Sequence, residues 1–313
     1  MKIGRVHQRK ITDNGGCSSY LFLAAISLMI CLISADSLSA EVQHASSGLK
    51  IKLGENWREM SKNIPVKFTP MPTFSGSHDF QEPRQLLWRP AEAGSPLTKA
   101  ANSGDKEEVE RLLFGGADVN HRDAGGATAL IMASQNGHGA IVDALLAKDA
   151  ELNVQENNGV TALFMASQNG HGVIVDALLA EGAKIDVQAQ NDATALFMAS
   201  QNGRGTIVEA LLAKGAKIDV QTDIGATALF MASQEGHLEV VEALLAKGAK
   251  IDVQTDIGAT ALILASYRGN AEIVAALLAK GANTELRIED GGTALELAKN
   301  ASIKSMLRAA KKP

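Results

Sequence analysis

Thr161 to Ala193 reads TALFMASQNGHGVIVDALLAEGAKIDVQAQNDA, and near-copies of it precede and follow it without a gap. The tripeptide Thr-Ala-Leu recurs with its threonine at Thr128, Thr161, Thr194, Thr227, Thr260 and Thr293, so the step from each copy to the next is constant. A fixed step of this size marks a stacked array, in which each copy is one supersecondary unit that cannot bury its apolar face alone. Within the quoted copy Leu163, Ala166 and Ser167 stand at i, i+3 and i+4, and Ile174, Val175, Leu178 and Leu179 form a second stripe. Two short amphipathic helices are therefore predicted on either side of Asn169-Gly170. Thr161 suits a helix N-cap, since its oxygen can accept from first-turn amides, and Gly182 supplies the left-handed residue that stops the second helix.

Helices this short are marginal in water, because isolated helices below about 12 to 15 residues rarely hold. Stacking on neighbours is thus obligatory, and the small residues Ala166 and Ser167, repeated as Ala199 and Ser200, allow close approach. Hydrophobic residues make up 46% of the 313-residue chain but aromatics only 4%, so the core is expected to be aliphatic.

These residues resemble the ankyrin repeat family, whose unit carries T-P-L-H-x-A, a Gly-His, an apolar helix ending L-L, and G-A. The resemblance covers residues 93–313, with Ser95-Pro96-Leu97 opening the first copy and glycines at Gly104, Gly137, Gly170, Gly203, Gly236 and Gly269. It implies an all-α repeat solenoid: seven helix-turn-helix units joined by β-turn or hairpin fingers, the first and last acting as covers. Departures are informative. Only Pro96 keeps the family's proline, and the histidine after Leu is replaced by Ile131, Phe164, Phe197, Phe230, Ile263 and Glu296, which predicts apolar packing in place of a polar tie. Asp149 and Asp192 stand where helix-stop and finger-turn glycines are expected, each at a cost of about 1 kcal/mol where φ is positive. Thr98, Lys99 and Glu108 in the first copy, and Ser302 in place of Gly with Lys311 in place of Leu in the last, predict polar outer faces for the terminal units.

The N-terminal stretch before Tyr20 carries Lys2, Arg5, Arg9 and Lys10, and the run from Tyr20 to Ala35 is apolar and uncharged. Small residues follow at Ser37 and Ser39-Ala40, the order of a secretory signal peptide, with cleavage expected near Ser39 or Ala40. The apolar run is shorter than the roughly 20 residues a spanning helix needs, although Asp36 and Leu38 leave a retained membrane anchor through residues 20–35 as the alternative. Both cysteines, Cys17 and Cys31, lie within this segment, so the mature product would have neither thiol nor disulfide. Residues 41–92 lack the repeat, hold five prolines, and read as an irregular extension. Its aromatics include Trp57 and Trp88; the part from Gln81 to Trp88 is expected to cover the exposed end of the solenoid, the alternative being an aromatic segment docked on the concave face.

Net charge is -5 and the basic residues form no stripe, which argues against nucleic acid. His138, His171 and His237 recur a full step or more apart, too far for one metal, and no phosphate loop, nucleophile elbow or HExxH helix is present. No enzyme activity and no cofactor are expected. The resemblance implies a module that binds a protein partner through its finger tips and inner helices; the leader adds the expectation of export, and a monomer is expected. The alternative is a membrane-anchored inhibitor or scaffold of a periplasmic or secreted enzyme. Near-identity of copies, with Ala210 to Leu229 repeated as Ala243 to Leu262, directs attention to surface positions of the units that depart from the Thr161 to Ala193 copy. On the tips these are Asp223, Ile224, Asp256 and Ile257; on the inner helices they are Gln234, Glu235, Tyr267 and Arg268.

Overall fold

Six threonines at one position of the repeat set the register of the whole array. In the computed structural model, which describes residues 95–310, the hydroxyl of each of Thr128, Thr161, Thr194, Thr227, Thr260 and Thr293 accepts from the amide three residues on, at 3.3–3.4 Å. Each therefore caps a helix, as does Ser95, which accepts from Thr98 N at 3.2 Å. The expected signal segment (1–40), the extension (41–92) with Trp57 and Trp88, and Lys311 all lie outside the described residues.

Fourteen helices follow in order among the described residues: α1 Pro96–Ser103, α2 Lys106–Phe114, α3 Ala129–Asn136, α4 Gly139–Leu146, α5 Ala162–Asn169, α6 Gly172–Ala180 and α7 Ala195–Gln201. The rest are α8 Gly205–Ala213, α9 Ala228–Glu235, α10 Leu238–Ala246, α11 Ala261–Arg268, α12 Ala271–Ala279, α13 Ala294–Leu297 and α14 Ala301–Ala310. Each odd helix packs on the even helix that follows it; odd helices stack on odd and even on even, giving two layers that run the length of the array. Between pairs the chain makes a finger whose tip is a tight turn, as where Gly225 N donates to Thr222 O at 2.9 Å. No strand occurs among the described residues, only an isolated bridge from Arg287 to Thr293.

The inner helices depart from the predicted amphipathic stripe. Ala162 to Ser167 are all buried in succession, because α5 meets α3 and α7 on its two sides and α6 on a third. Phe164, Phe197 and Phe230, in place of the family's histidine, are 4%, 8% and 6% exposed and pack as apolar side chains. The outer stripe holds as expected, with Ile174, Val175, Leu178 and Leu179 buried. Asp149 (φ 57°) and Asp192 (φ 60°) are the positive-φ non-glycine residues among those described, and the chain keeps its path through both.

One expectation for the terminal units fails. Thr98 is buried at 4%, because it stands at the place of Ile131 and Phe164, which are buried in the copies that follow, and its hydroxyl lies 2.9 Å from that of Ser95. Ser302 is exposed, in line with a polar outer face, and lies inside α14. Without a glycine there, α13 ends after a single turn, and Asn300 Oδ1 accepts from Ile303 N at 2.7 Å to start the last helix early. Among the described residues no helix is long and apolar enough to cross a membrane.

Candidate functional site

Positions that repeat are consumed by folding. His171 and His237 place Nε2 3.0 Å from the carbonyls of Gln135 and Gln201, and His138 lies 3.3 Å from that of Asn102, so each ties its unit to the one before. The glycine under each ring is required by space as well as by φ: a Cβ at Gly137 would sit 2.6 Å from His171 Cε1. Asn270 makes the same tie through Nδ2 to Ser233 O at 2.9 Å. Among the described residues no group of three His, Cys, Asp or Glu stands close enough to hold a metal ion.

Fingers are joined by a ladder of main-chain bonds. Asn157 N donates to Gly125 O at 2.8 Å, Gln190 N to Asn158 O at 2.9 Å, Asp223 N to Asn191 O at 3.1 Å, Asp256 N to Ile224 O at 3.1 Å and Glu289 N to Ile257 O at 2.9 Å. The ladder fixes the tip backbone and leaves tip side chains to face outward. Asp223 and Asp256 are exposed, and Ile224 and Ile257 are half-buried. Burial of its carboxyl, then the neighbouring charges of Asp192 and Asp256, raise the Asp223 pKa above the ordinary value, with bonds to the Ile224 and Asp223 amides opposing.

The inner-helix candidates form a second row. Gln234 Nε2 donates to Glu235 Oε1 at 2.7 Å, so the last two residues of α9 engage each other. Half-buried Tyr267 carries the Lys299 ammonium 4.1 Å from its ring centroid, and Arg268 is exposed at the end of α11. Inner helices α9 and α11, each about 12 Å long at about 1.5 Å per residue, carry the helix-end row at their C-terminal ends, and the tip residues lie in the finger before each helix begins. The eight candidates thus make two rows across two adjacent units, with Asp223, Ile224, Gln234 and Glu235 on one and Asp256, Ile257, Tyr267 and Arg268 on the next.

Three features of this surface escape a reading of single copies. Asp192 joins the acidic tip row because stacking sets it beside Asp223, a relation visible only once copies are laid over one another at the finger. Lys299 reaches Tyr267 from the following unit. Gln221 and Gln254 brace the tips by donating to the carbonyls of Gly225 and Gly258 at 3.0 and 2.9 Å; their constant offset before the tip glycine was the available signal. Elsewhere, a depression of about 700 Å³ is lined in part by Arg122, Asp149, Glu151, Asn153 and Glu181 and includes none of the eight candidates.

The family profile described as Ankyrin repeats (3 copies) matches residues 97–189, 163–255 and 229–309. The human ASB11 ankyrin repeat domain is similar at 31% identity, with 70% of this chain and 99% of that one covered and a TM-score of 0.64. The ankyrin repeat domain of Bcl-3, a member of the IkappaB protein family, is similar at 27% identity over 69% of this chain and 98% of that one, with a TM-score of 0.60. No curated protein matches the chain.

Proposed function

Because the chain belongs to the ankyrin repeat family, and so carries a protein-protein interaction module, we propose that it is an exported binding protein without catalytic activity. In this reading a signal peptide over residues 1–40 directs it to the periplasm or the exterior, residues 41–92 form an extension, and an array of seven units over residues 93–313 grips one protein partner. The partner lies on the concave side, across Asp223, Ile224, Asp256 and Ile257 at the tips and Gln234, Glu235, Tyr267 and Arg268 at the inner-helix ends.

One observation carries this reading. The buried residues of each unit are taken up by packing, whereas the eight candidates, which include the tip and inner-helix residues that depart from the Thr161 to Ala193 copy, are exposed or half-buried on two adjacent units. Aromatic and Arg side chains, here Tyr267 and Arg268, tend to dominate interface energetics, while the repulsion around Asp223 favours a partner that brings a cation.

The test is affinity capture on the mature protein from its native compartment, run in parallel with Ile224→Ala/Tyr267→Ala/Arg268→Ala. A partner held by the native chain and lost by the triple variant supports the site; equal recovery on both removes it. N-terminal sequencing of the same preparation addresses export. A chain beginning near Ser39 or Ala40 supports a cleaved signal, and an intact Met1 in the membrane fraction replaces it with an anchor through residues 20–35.

A further inference from the structure

Asn136, Asn169 and Asn202 hold one place of the repeat, at the C-terminal ends of inner helices α3, α5 and α7, and the same place passes to Glu235 on α9 and Arg268 on α11. The three asparagines turn their amides the same way. Nδ2 donates to the main-chain carbonyl four residues back: Met132 O at 3.0 Å, Met165 O at 3.0 Å and Met198 O at 2.8 Å. A carbonyl can only accept, so the nitrogen is the atom each helix holds and the oxygen is the atom it leaves. Among the described residues no donor reaches Oδ1 of Asn136, Asn169 or Asn202, whereas Oδ1 of Asn102, in the unit before, is taken by Asn136 Nδ2 at 3.1 Å. Asn136 and Asn169 are exposed and Asn202 is half-buried.

Resting on the reading that the inner side of the array takes a partner, we propose that these three oxygens and the Glu235 carboxylate form a row of acceptors for an extended basic segment of that partner, one lysine or arginine to each unit. Every group on the row asks for a donor. Amide oxygens and carboxylates accept, and the C-terminal ends of helices carry the negative end of the helix dipole. Glu235 Oε1 already accepts from Gln234 Nε2 at 2.7 Å, which holds the carboxylate in place. Because each asparagine is fixed through its nitrogen, its oxygen needs no reorientation when a donor arrives, and less side-chain freedom is lost on binding.

Spacing selects the conformation of the segment. Packed helices lie about 8 to 10 Å apart, so the acceptors follow one another at about that distance. A polyproline II segment advances about 9 Å in each three-residue turn, which brings every third side chain onto the next unit. The row is bounded at both ends: Asn102 has its oxygen occupied, and Arg268 presents a cation that repels a further donor. Arg204, at the place of His171 and His237, packs against Gly170, where a Cβ would lie 2.8 Å from its Nε, so the row is less negative next to Asn169 than at Glu235.

The probe is a fluorescein-labelled Lys-Pro-Ala repeat peptide with one lysine for each acceptor place, titrated against the full chain and followed by anisotropy. Its control has the same composition with lysine at every second residue. The probe should bind about tenfold tighter than the control. Asn136→Ala/Asn169→Ala/Asn202→Ala leaves the net charge unchanged and should weaken the probe about tenfold, removing the preference for spacing. Asn136→Arg/Asn169→Arg/Asn202→Arg sets at three units the residue that Arg268 already supplies on α11, and should abolish binding. A single cooperative urea transition checks that both variants fold. No binding of the probe overturns the proposal. So do equal affinities for probe and control, which reduce the interaction to net charge, and an affinity that survives the alanine variant. A captured partner held by the alanine variant but lost by Ile224→Ala/Tyr267→Ala/Arg268→Ala overturns the row and leaves the site proposed above standing. Probe binding that follows the row, with the captured partner kept by that other variant, supports the row and removes that site.

Discussion

Ser134, Ser167, Ser200, Ser233 and Ser266 are each 0% exposed, and none of their hydroxyls has a hydrogen-bond partner. Small size is what the position demands, since the inner helices meet there, and the hydroxyl is desolvated without return. Ser200→Ala is expected to stabilise the protein by about 1 kcal/mol, read as a higher urea midpoint at unchanged slope. A second buried polar side chain, Glu156, is 4% exposed and has its pKa raised by burial and by Asp123, against bonds from Asn158 that lower it. Its folded value therefore lies above the unfolded one, so the folded state holds the proton more tightly. Stability from this group is greatest below the unfolded pKa and is lost as pH rises through the folded pKa. Glu156→Gln keeps an acceptor for the Asn158 amide; unfolding measured from about pH 4 to about pH 7 should show about the native stability at the acid end and greater stability at the neutral end.

At the scale of helices and their connections, the elements hold because neighbours enclose them. Leu178, at 0% exposure, joins the α6 stripe to the core, and Leu178→Ala should cost about 2 to 5 kcal/mol in chemical unfolding. Gly137 combines φ 78° with a Cβ position 2.6 Å from the His171 ring. Gly137→Ala should therefore cost more than the roughly 1 kcal/mol of a left-handed alanine alone, because His171 must also leave the Gln135 carbonyl. Adding His171→Ala should relieve part of that loss, and a double-mutant cycle measures the coupling. Caps, stops and the outer stripe could be read from Thr161, Gly182 and Ile174 to Leu179. The full burial of Ala162 to Ser167 could not, because period along one helix says nothing of how many neighbours surround it. Nor could the early start of α14, since a constant step assumes that Ser302 turns where the glycines turn, and Asn300 caps first.

Across the whole molecule, a stack in which each unit touches only its neighbours should open from its ends. The last unit, whose α13 spans only Ala294–Leu297, is expected to exchange its amides fastest among the described helices, and the units around α7 and α9 slowest. The candidate surface belongs to this same scale, for its two rows exist only because units stack. If its acidic tips help to hold a cationic partner, binding should weaken as salt rises, and Asp223→Asn/Asp256→Asn should flatten that dependence; titrations at two ionic strengths check it.

From sequence alone came the constant repeat step, the helix pairs, their caps and stops, the family, and the short list of positions where copies differ. These follow from local chemistry repeated in place: a threonine oxygen near three amides, a glycine free to turn left, leucines on one face. Only the stacked structure set Asp192 beside Asp223, laid Lys299 on Tyr267, buried Thr98 and left Ala124 without an acceptor among the described residues. Each of these is a relation between neighbours, decided by which unit lies against which and by the space left between them. A pattern written along one copy cannot contain it.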